Sequence, residues 1–304
     1  MTVRAKVLAD STNGFGQRLL SFELYYPWFV HPEFMTHRVF SRNAASSRAI
    51  PITAFIESIR LDTALPARWG KNGKGMQDFG PMSPEGEALA KKIWLNARDD
   101  AISRVGEMLA LAESPHKQIA NRLLMPFAHI TVVCTSTNFA NFFALRRHKD
   151  ADPTIQALAE AMWAAYKDSS PTILKPGEWH LPYIEQHEKD AFALAKDPEQ
   201  ALQNLITVSV ARCARTSYRS HRNKATTFAE DKLLYDTKIV GSTPMHASPA
   251  EHQATPDSRQ TLFDPATKKI KVSWDNPELH GNFTGFIQFR KTLPNEFVPE
   301  PILY

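Results

Sequence analysis

The run RLLSFELYYPWFV, residues 18–30, constrains the fold more than any other stretch. Aromatic and aliphatic side chains in partial alternation need a pleated, buried surface, so the run reads as a strand that ends near Pro27. Farther on, SPEGEALAKKIWLNARDDAISRVGEMLALAESPH (83–116) changes the period from two to 3.6. Leu89, Ile93, Ala97, Ala101, Val105 and Met108 mark one face of a long amphipathic helix, and Ser-Pro-Glu is a helix start. HKQIANRLLM reads as a second helix ending at Pro126, AHITVVC as a second strand, and NFANFFALRRH as a helix with Phe139, Phe142, Phe143 and Leu145 at helical spacing. Two more helices are expected over 153–167 and 198–219, and a hairpin or pair of short strands near 268–290. A chain carrying both periods packs helices on a sheet, so the expected class is α+β, a central twisted sheet flanked by long helices.

Composition excludes several function classes. At 43% hydrophobic and 22% charged over 304 residues, the chain is ordinary for a soluble globular protein. Phe127–Leu145 is the one long apolar-leaning run without a charge, but His129, Asn138, Asn141 and its hydroxyls assign it to a protein interior and not to a membrane. The opening residues carry no apolar signal core, and two cysteines, Cys134 and Cys213, are too few for a disulfide framework. A reducing, cytoplasmic setting is expected. GKNGKG lacks the Gly-Lys-Ser/Thr ending of a phosphate loop and reads as flexible, and the histidines lack metal-ligand spacing, so no metal is expected. A net charge of +4 favours anionic partners only if it is concentrated locally.

It is concentrated in THRVFSRNAASSR, residues 36–48, with three arginines, one histidine, four hydroxyl side chains and no acid. Guanidinium forks and hydroxyls suit phosphate oxygens, and the segment follows a strand able to anchor it. The plainer alternative is a solvated basic loop.

Within it, His37-Arg38-x-x-Ser41-x-Asn43-x-x-Ser46-x-Arg48 resembles the signature of flavin-dependent thymidylate synthases, with Thr36 in place of an arginine and Ala44 in place of a glutamate. NRLLMP resembles a second family motif and places Arg122 at its arginine. TSTNFANFFALR resembles a third, keeping Asn141 and Arg146 and substituting Thr135 and Thr137 for an asparagine and an arginine. ARCARTSY (211–218) and MHASPAEH (245–252) resemble motifs that the family carries near its N-terminus. The order implies a circularly permuted, phage-like member, which a fold tolerates when its termini lie close together at the surface. One catalytic domain over 1–304 is expected, with a family-like core of 17–168 and 205–252 and a C-terminal extension, 253–304, of short strands.

The resemblance implies site roles. Arg146 is the catalytic candidate, a permanently charged in-plane donor beside the uracil ring, although a cation at a helix end also suits the dipole. Glu33, Ser46, Ser47, Arg48, Arg122 and Arg146 are the dUMP candidates; Arg122 read plainly is a helix-surface residue. Thr36, His37, Arg38, Thr135, Thr137, Asn141, His246 and Ser248 are the FAD candidates, and Ser248 with Glu251 also reads as a capping box. Gln288 and Arg290 are candidates to replace the glutamine and arginine missing at Glu33 and Thr36. The implied reaction transfers a one-carbon unit from methylenetetrahydrofolate to C5 of dUMP, with NADPH-reduced FAD, giving dTMP. A runner-up makes 5-hydroxymethyl-dUMP. The rival of another class is a non-catalytic nucleotide- or nucleic-acid-binding paralogue. Neither cysteine sits beside a proline as in the folate-dependent synthases, so cysteine attack on the pyrimidine is not expected. A homotetramer is implied, with no membrane or nucleic-acid partner.

Overall fold

In the computed structural model, which describes residues 2–217, 226–266 and 268–297, β1 (Arg4–Thr12) and β2 (Arg18–Pro27) form an antiparallel hairpin. With β3 (Ser41–Ala44), β4 (His129–Ser136) and β5 (Thr172–Ile173) they make a five-stranded sheet of order β3-β4-β2-β1-β5, in which β5 runs parallel to β1. The aromatic run becomes β2 and stops at Pro27, which has no N–H to extend the ladder.

Side chains alternate across a strand, so the register separates two faces. Leu20, Phe22, Leu24 and Tyr26 of β2 share one face with Ile130, Val132 and Cys134 of β4, and this face holds the main core. The other face is polar. Ser21 lies opposite Thr135 and Glu23 opposite Val133, and across β4 Ser41 and Asn43 occupy the same two rungs.

Helices α1 (His31–Met35), α2 (Ile52–Leu61) and α3 (Pro84–Leu109) follow β2 and β3, then α4 (Lys117–Ala120), which tightens into a 3₁₀ turn over Asn121–Phe127 that absorbs Pro126. After β4 come α5 (Ala140–Arg146) and α6 (Pro153–Asp168), whose inner residues Phe142, Phe143, Ile155, Leu158 and Met162 join the main core. The C-terminal half supplies α7 (Gln186–Ala193), α8 (Pro198–Arg215) and α9 (Phe228–Leu234); α8 carries Ile206, Val208 and Val210 of a second core, against which Leu234 of α9 packs. β6 (Ala254–Pro256) pairs with β9 (Phe286–Gln288), β7 (Arg259–Asp264) with β8 (Lys269–Trp274), and α10 (Phe289–Thr292) follows. The hairpin therefore begins earlier than the sequence suggested. The end of the expected 198–219 helix and residues 298–304 of the extension lie outside the described residues.

Two sequence expectations are corrected. Ser83 caps α3 as read, accepting from Gly86 N at 3.1 Å, but Leu89 and Ile93 stay 60% exposed while Ile102 and Val105 are buried. A spacing of four drifts about 40° per step on a 3.6-residue helix, so Leu89 and Val105 lie about 160° apart and cannot share one buried face. Ser248 does not act as a cap: Ser248–Glu251 is a short 3₁₀ turn entered through Ala247, without a side-chain cap. Among the described residues no helix is long and apolar enough to cross a membrane.

Candidate functional site

The donor-rich segment is held in shape by a residue in its middle. Arg42 Nη1 donates to the carbonyls of Phe34, Met35 and His37 at 3.3, 3.1 and 3.2 Å, tying the end of α1 to the turn leading into β3. This folds Thr36 and His37 toward α5. There Arg146, the last residue of α5, donates from Nε to His37 Nε2 at 3.0 Å and from Nη2 to Thr36 Oγ1 at 3.1 Å and the Glu33 carbonyl at 3.4 Å. His37 is buried, stacked on Phe40 and edge-on to Phe142. Burial, then the charges of Arg146 and Arg42, lower its pKa to about 4, so the ring is neutral and its Nε2 lone pair is available to accept.

The other dUMP candidates lie on different parts of the chain. Ser47 is buried and its carbonyl accepts from Asn121 Nδ2 at 2.8 Å; Ser46 N donates to the Ser217 carbonyl at 3.4 Å; Arg48 is exposed. Arg122 donates from Nε to the Gln118 carbonyl and borders a 510 Å³ cleft with Trp28, Phe29, His31 and Pro32. His31 and Pro32 open α1, whereas the residues touching Arg146 sit at its end. Among the described residues, neither Arg48 nor Arg122 shares a hydrogen bond with Arg146.

Three distant stretches meet over β3. Asn43, Ala214, Ser217, Lys238, His246 and Ser248 are among the residues that line one 230 Å³ cavity. Asn43 Nδ2 donates to the Cys213 carbonyl at 3.3 Å, and Ser217 Oγ donates to the Ala44 carbonyl at 3.2 Å. ARCARTSY and MHASPAEH thus both reach the donor-rich segment, although Tyr218 lies outside the described residues. Arg212 and Arg215 of the first stretch do not join the cavity; they bind the buried carboxylate of Asp231 at 3.3 and 2.9 Å.

Behind this cavity runs a buried chain of hydroxyls and imidazoles on the polar face of the sheet. Ser11 Oγ meets His180 Nδ1 at 2.9 Å, His180 Nε2 meets Ser21 Oγ at 2.8 Å, Ser21 Oγ meets Thr135 Oγ1 at 2.6 Å, and Thr135 Oγ1 meets His252 Nδ1 at 2.8 Å. Both histidines are driven to a pKa of about 3, first by burial, so the chain is built from neutral groups. His252 closes the 245–252 stretch, and Thr135 thereby ties it to β4 instead of facing solvent. Thr137 Oγ1 accepts from Thr284 N at 3.1 Å. Arg38, Asn141, His246 and Ser248 are exposed and make no side-chain hydrogen bond among the described residues. Gln288 reaches Ser41 Oγ at 3.4 Å and the Glu251 carbonyl at 3.1 Å, while Arg290 is bound by the carboxylates of Glu251 and Glu296 and not by Thr36.

A family model described as thymidylate synthase complementing protein matches residues 15–172, which include the donor-rich segment, Arg122 and Arg146. The chain belongs to that family. It is the flavin-dependent thymidylate synthase family that the signature resembles. The two C-terminal stretches over β3 lie outside the residues matched to it. Two solved structures of a UMP/dUMP methylase PolB from Streptomyces cacaoi, bound with 5-Br UMP and with 5-Br dUMP, are similar at 17% identity with TM-scores of 0.45 and 0.44, the match covering 55% of this chain and 89 and 90% of theirs. No protein of curated function matches the sequence.

Arg42, His180 and His252 are the site-building residues that sequence reasoning left out. Arg42 occupies a position that the family signature leaves open, so the motif gave no reason to choose it. His180 lies in a proline-containing connector whose partners, Ser11 and Ser21, are more than 150 residues away in sequence.

Proposed function

We propose that the protein modifies C5 of dUMP with a one-carbon unit, using reduced FAD, and that the permuted stretches 211–218 and 245–252 complete the site begun by residues 36–48. The observation that carries this reading is the single cavity shared by Asn43, Ser217, His246 and Ser248, which come from three separated segments.

The donor chemistry fits a flavin dinucleotide. Arg38, Asn141, His246 and Ser248 offer a guanidinium, a carboxamide, an imidazole and a hydroxyl that are not spent within the chain, and His37 and Thr36 lie beside them in sequence while orienting Arg146. Thr135 serves the same site through His252. When bound, the flavin supplies the redox step. Arg146 is the residue assigned to the pyrimidine: its charge is permanent, its orientation is fixed by His37, Thr36 and Glu33, and it stabilises negative charge developing on the ring. Glu33, Ser46, Ser47, Arg48 and Arg122 are assigned to the nucleotide, methylenetetrahydrofolate to the carbon and NADPH to the reducing equivalents.

Size argues for assembly. The 230 Å³ cavity is below the roughly 300–1,000 Å³ of pockets that enclose a typical ligand. Around Arg146, Met35, Val39 and Leu145 are 43, 45 and 53% exposed. A homotetramer in which another subunit's wall carries Arg48 or Arg122 toward Arg146 would close the site and cover that apolar surface.

The test is mass spectrometry of dUMP incubated with the protein, FAD, NADPH and methylenetetrahydrofolate. A methylated nucleotide formed only when FAD is present supports the reading; no modified nucleotide under any of these conditions overturns it. A product heavier by one further oxygen would assign the hydroxymethyl reaction, the second reading, raised by the departures from the signature at Thr36 and Ala44.

A further inference from the structure

The buried run on the polar face of the sheet passes through Ser11, His180, Ser21, Thr135 and His252 in that order. A hydroxyl has one proton to give, and a neutral imidazole has one N–H and one lone pair. Burial keeps both rings neutral. The four contacts therefore draw on five protons, one from each side chain.

That count leaves two self-consistent arrangements. The 2.6 Å contact between Ser21 and Thr135 holds a single proton, since two would clash and none would set lone pairs against each other. If Thr135 supplies it, Thr135 must accept from Nδ1–H of His252, Ser21 must donate to Nε2 of His180, and Nδ1–H of His180 donates to Ser11. If Ser21 supplies it, every donor reverses and both rings carry their proton on Nε2. Unlike tautomers would break at least one contact inside a run that is buried throughout.

The two ends decide between the arrangements, because one proton is left over in each. In the first it is the hydroxyl proton of Ser11, which turns freely about Cβ–Oγ on a residue 4% exposed. In the second it is Nε2–H of His252, fixed in direction on a ring with no exposed surface and with no partner among the described residues. A rigid buried donor without an acceptor is the costlier of the two. Nor is His180 free to swing away: its N donates to the Ala254 carbonyl at 2.8 Å, and Ala254 N to the His180 carbonyl at 3.4 Å, two residues past His252.

We propose that these five side chains form one ordered relay, in which His180 and His252 both hold their proton on Nδ1 and a hydrogen-bond acceptor brought to Nε2 of His252 reverses the whole run out to Ser11 of β1. His252 ends the stretch whose His246 and Ser248 line the 230 Å³ cavity, so the relay joins that stretch to the N-terminal hairpin. The inference needs neither flavin nor nucleotide and stands apart from the proposed reaction.

Long-range ¹H–¹⁵N correlation spectra of the full chain, labelled at its histidine nitrogens and kept at neutral pH, test it. Spectra of His180→Gln and His252→Asn assign the two rings. Both are expected as neutral Nδ1–H tautomers. Ser11→Ala removes the acceptor for Nδ1–H of His180 and should raise the ratio of Nε2–H to Nδ1–H at His252, at the far end of the run, about fivefold. The same change made together with Ser21→Ala should leave His252 as it is in Ser21→Ala alone, because the run is then cut between them; Thr135→Val cuts it at a second place if Ser21→Ala does not fold. The proposal is overturned if the wild-type rings carry unlike tautomers, if either is Nε2–H or doubly protonated, if Ser11→Ala leaves His252 unmoved, or if it moves His252 equally in the cut chain.

Discussion

Arg146 donates from Nε to Nε2 of His37 across 3.0 Å, joining the end of α5 to the donor-rich segment through an imidazole that burial keeps neutral. A protonated His37 would have no lone pair to offer and would repel the guanidinium. The pair therefore works as an orienting device, with Thr36 and the Glu33 carbonyl as its second and third points of contact.

Replacing Arg146 by Ala should lower kcat by about 10²–10³-fold, the loss expected when one preorganised donor to developing charge is removed. The melting temperature should change little, because Arg146 is half-buried at a helix end. His37→Phe should lower kcat less than Arg146→Ala while keeping the ring contacts with Phe40 and Phe142. Steady-state rates beside thermal melts check both; wild-type turnover in Arg146→Ala would remove this residue from the chemistry.

Acid should unfold the protein through its histidines. Burial lowers His180 and His252 to about 3, and His31 and His37 to about 4, from an ordinary value of 6.5. The folded chain thus refuses protons that the unfolded chain accepts below pH 6.5. Their stabilisation is complete above 6.5 and falls as pH drops toward 4 and then 3. For the two fully buried rings the slope is at most about 1.4 kcal/mol per pH unit each. Urea midpoints between pH 7.5 and 5 should decline; a flat profile contradicts the burial of neutral imidazoles.

The relay through Thr135 makes a side-chain-specific prediction. His252→Asn keeps a group at the position of Nδ1 and should preserve the contact with Thr135. His252→Phe leaves that hydroxyl Ser21 as its remaining side-chain partner and should cost about 0.5–1.5 kcal/mol in denaturant unfolding, the net worth of one hydrogen bond. Equal stability of the two variants would mean the 2.8 Å contact contributes nothing.

Arg42→Ala removes donors from three carbonyls at the end of α1 and in the following turn, and should loosen residues 34–40 without melting the sheet. Amide hydrogen exchange should quicken in that turn and stay slow in β2 and β4. Uniformly faster exchange would instead indicate a global role.

Much of the framework was legible because local signals agreed with the final packing. Pro27 ended β2 where its missing N–H requires, Ser83 capped α3, and Phe142 and Phe143 faced inward as their helical spacing suggested. Linear pattern failed where the answer depended on distant partners. Leu89 and Ile93 matched a stripe that drifts around the helix. Ser248 looked like a cap but begins too short a turn to need one. Within the candidate site, family motifs pointed to Arg146 and to the 245–252 stretch that ends in His252, whereas the contacts of Arg42, His180 and His252 depend on carbonyls and hydroxyls that only the tertiary structure brings near.

The most direct test of the central claim is a flavin-fluorescence titration with FAD on the wild-type chain and on Arg38→Ala and Ser248→Ala. These residues are 210 positions apart in sequence. The account predicts saturable quenching, perturbed by added dUMP, and an affinity weakened about fivefold or more by each substitution alone. Absence of FAD binding, or binding indifferent to both changes, would contradict a site assembled from the two ends of the chain.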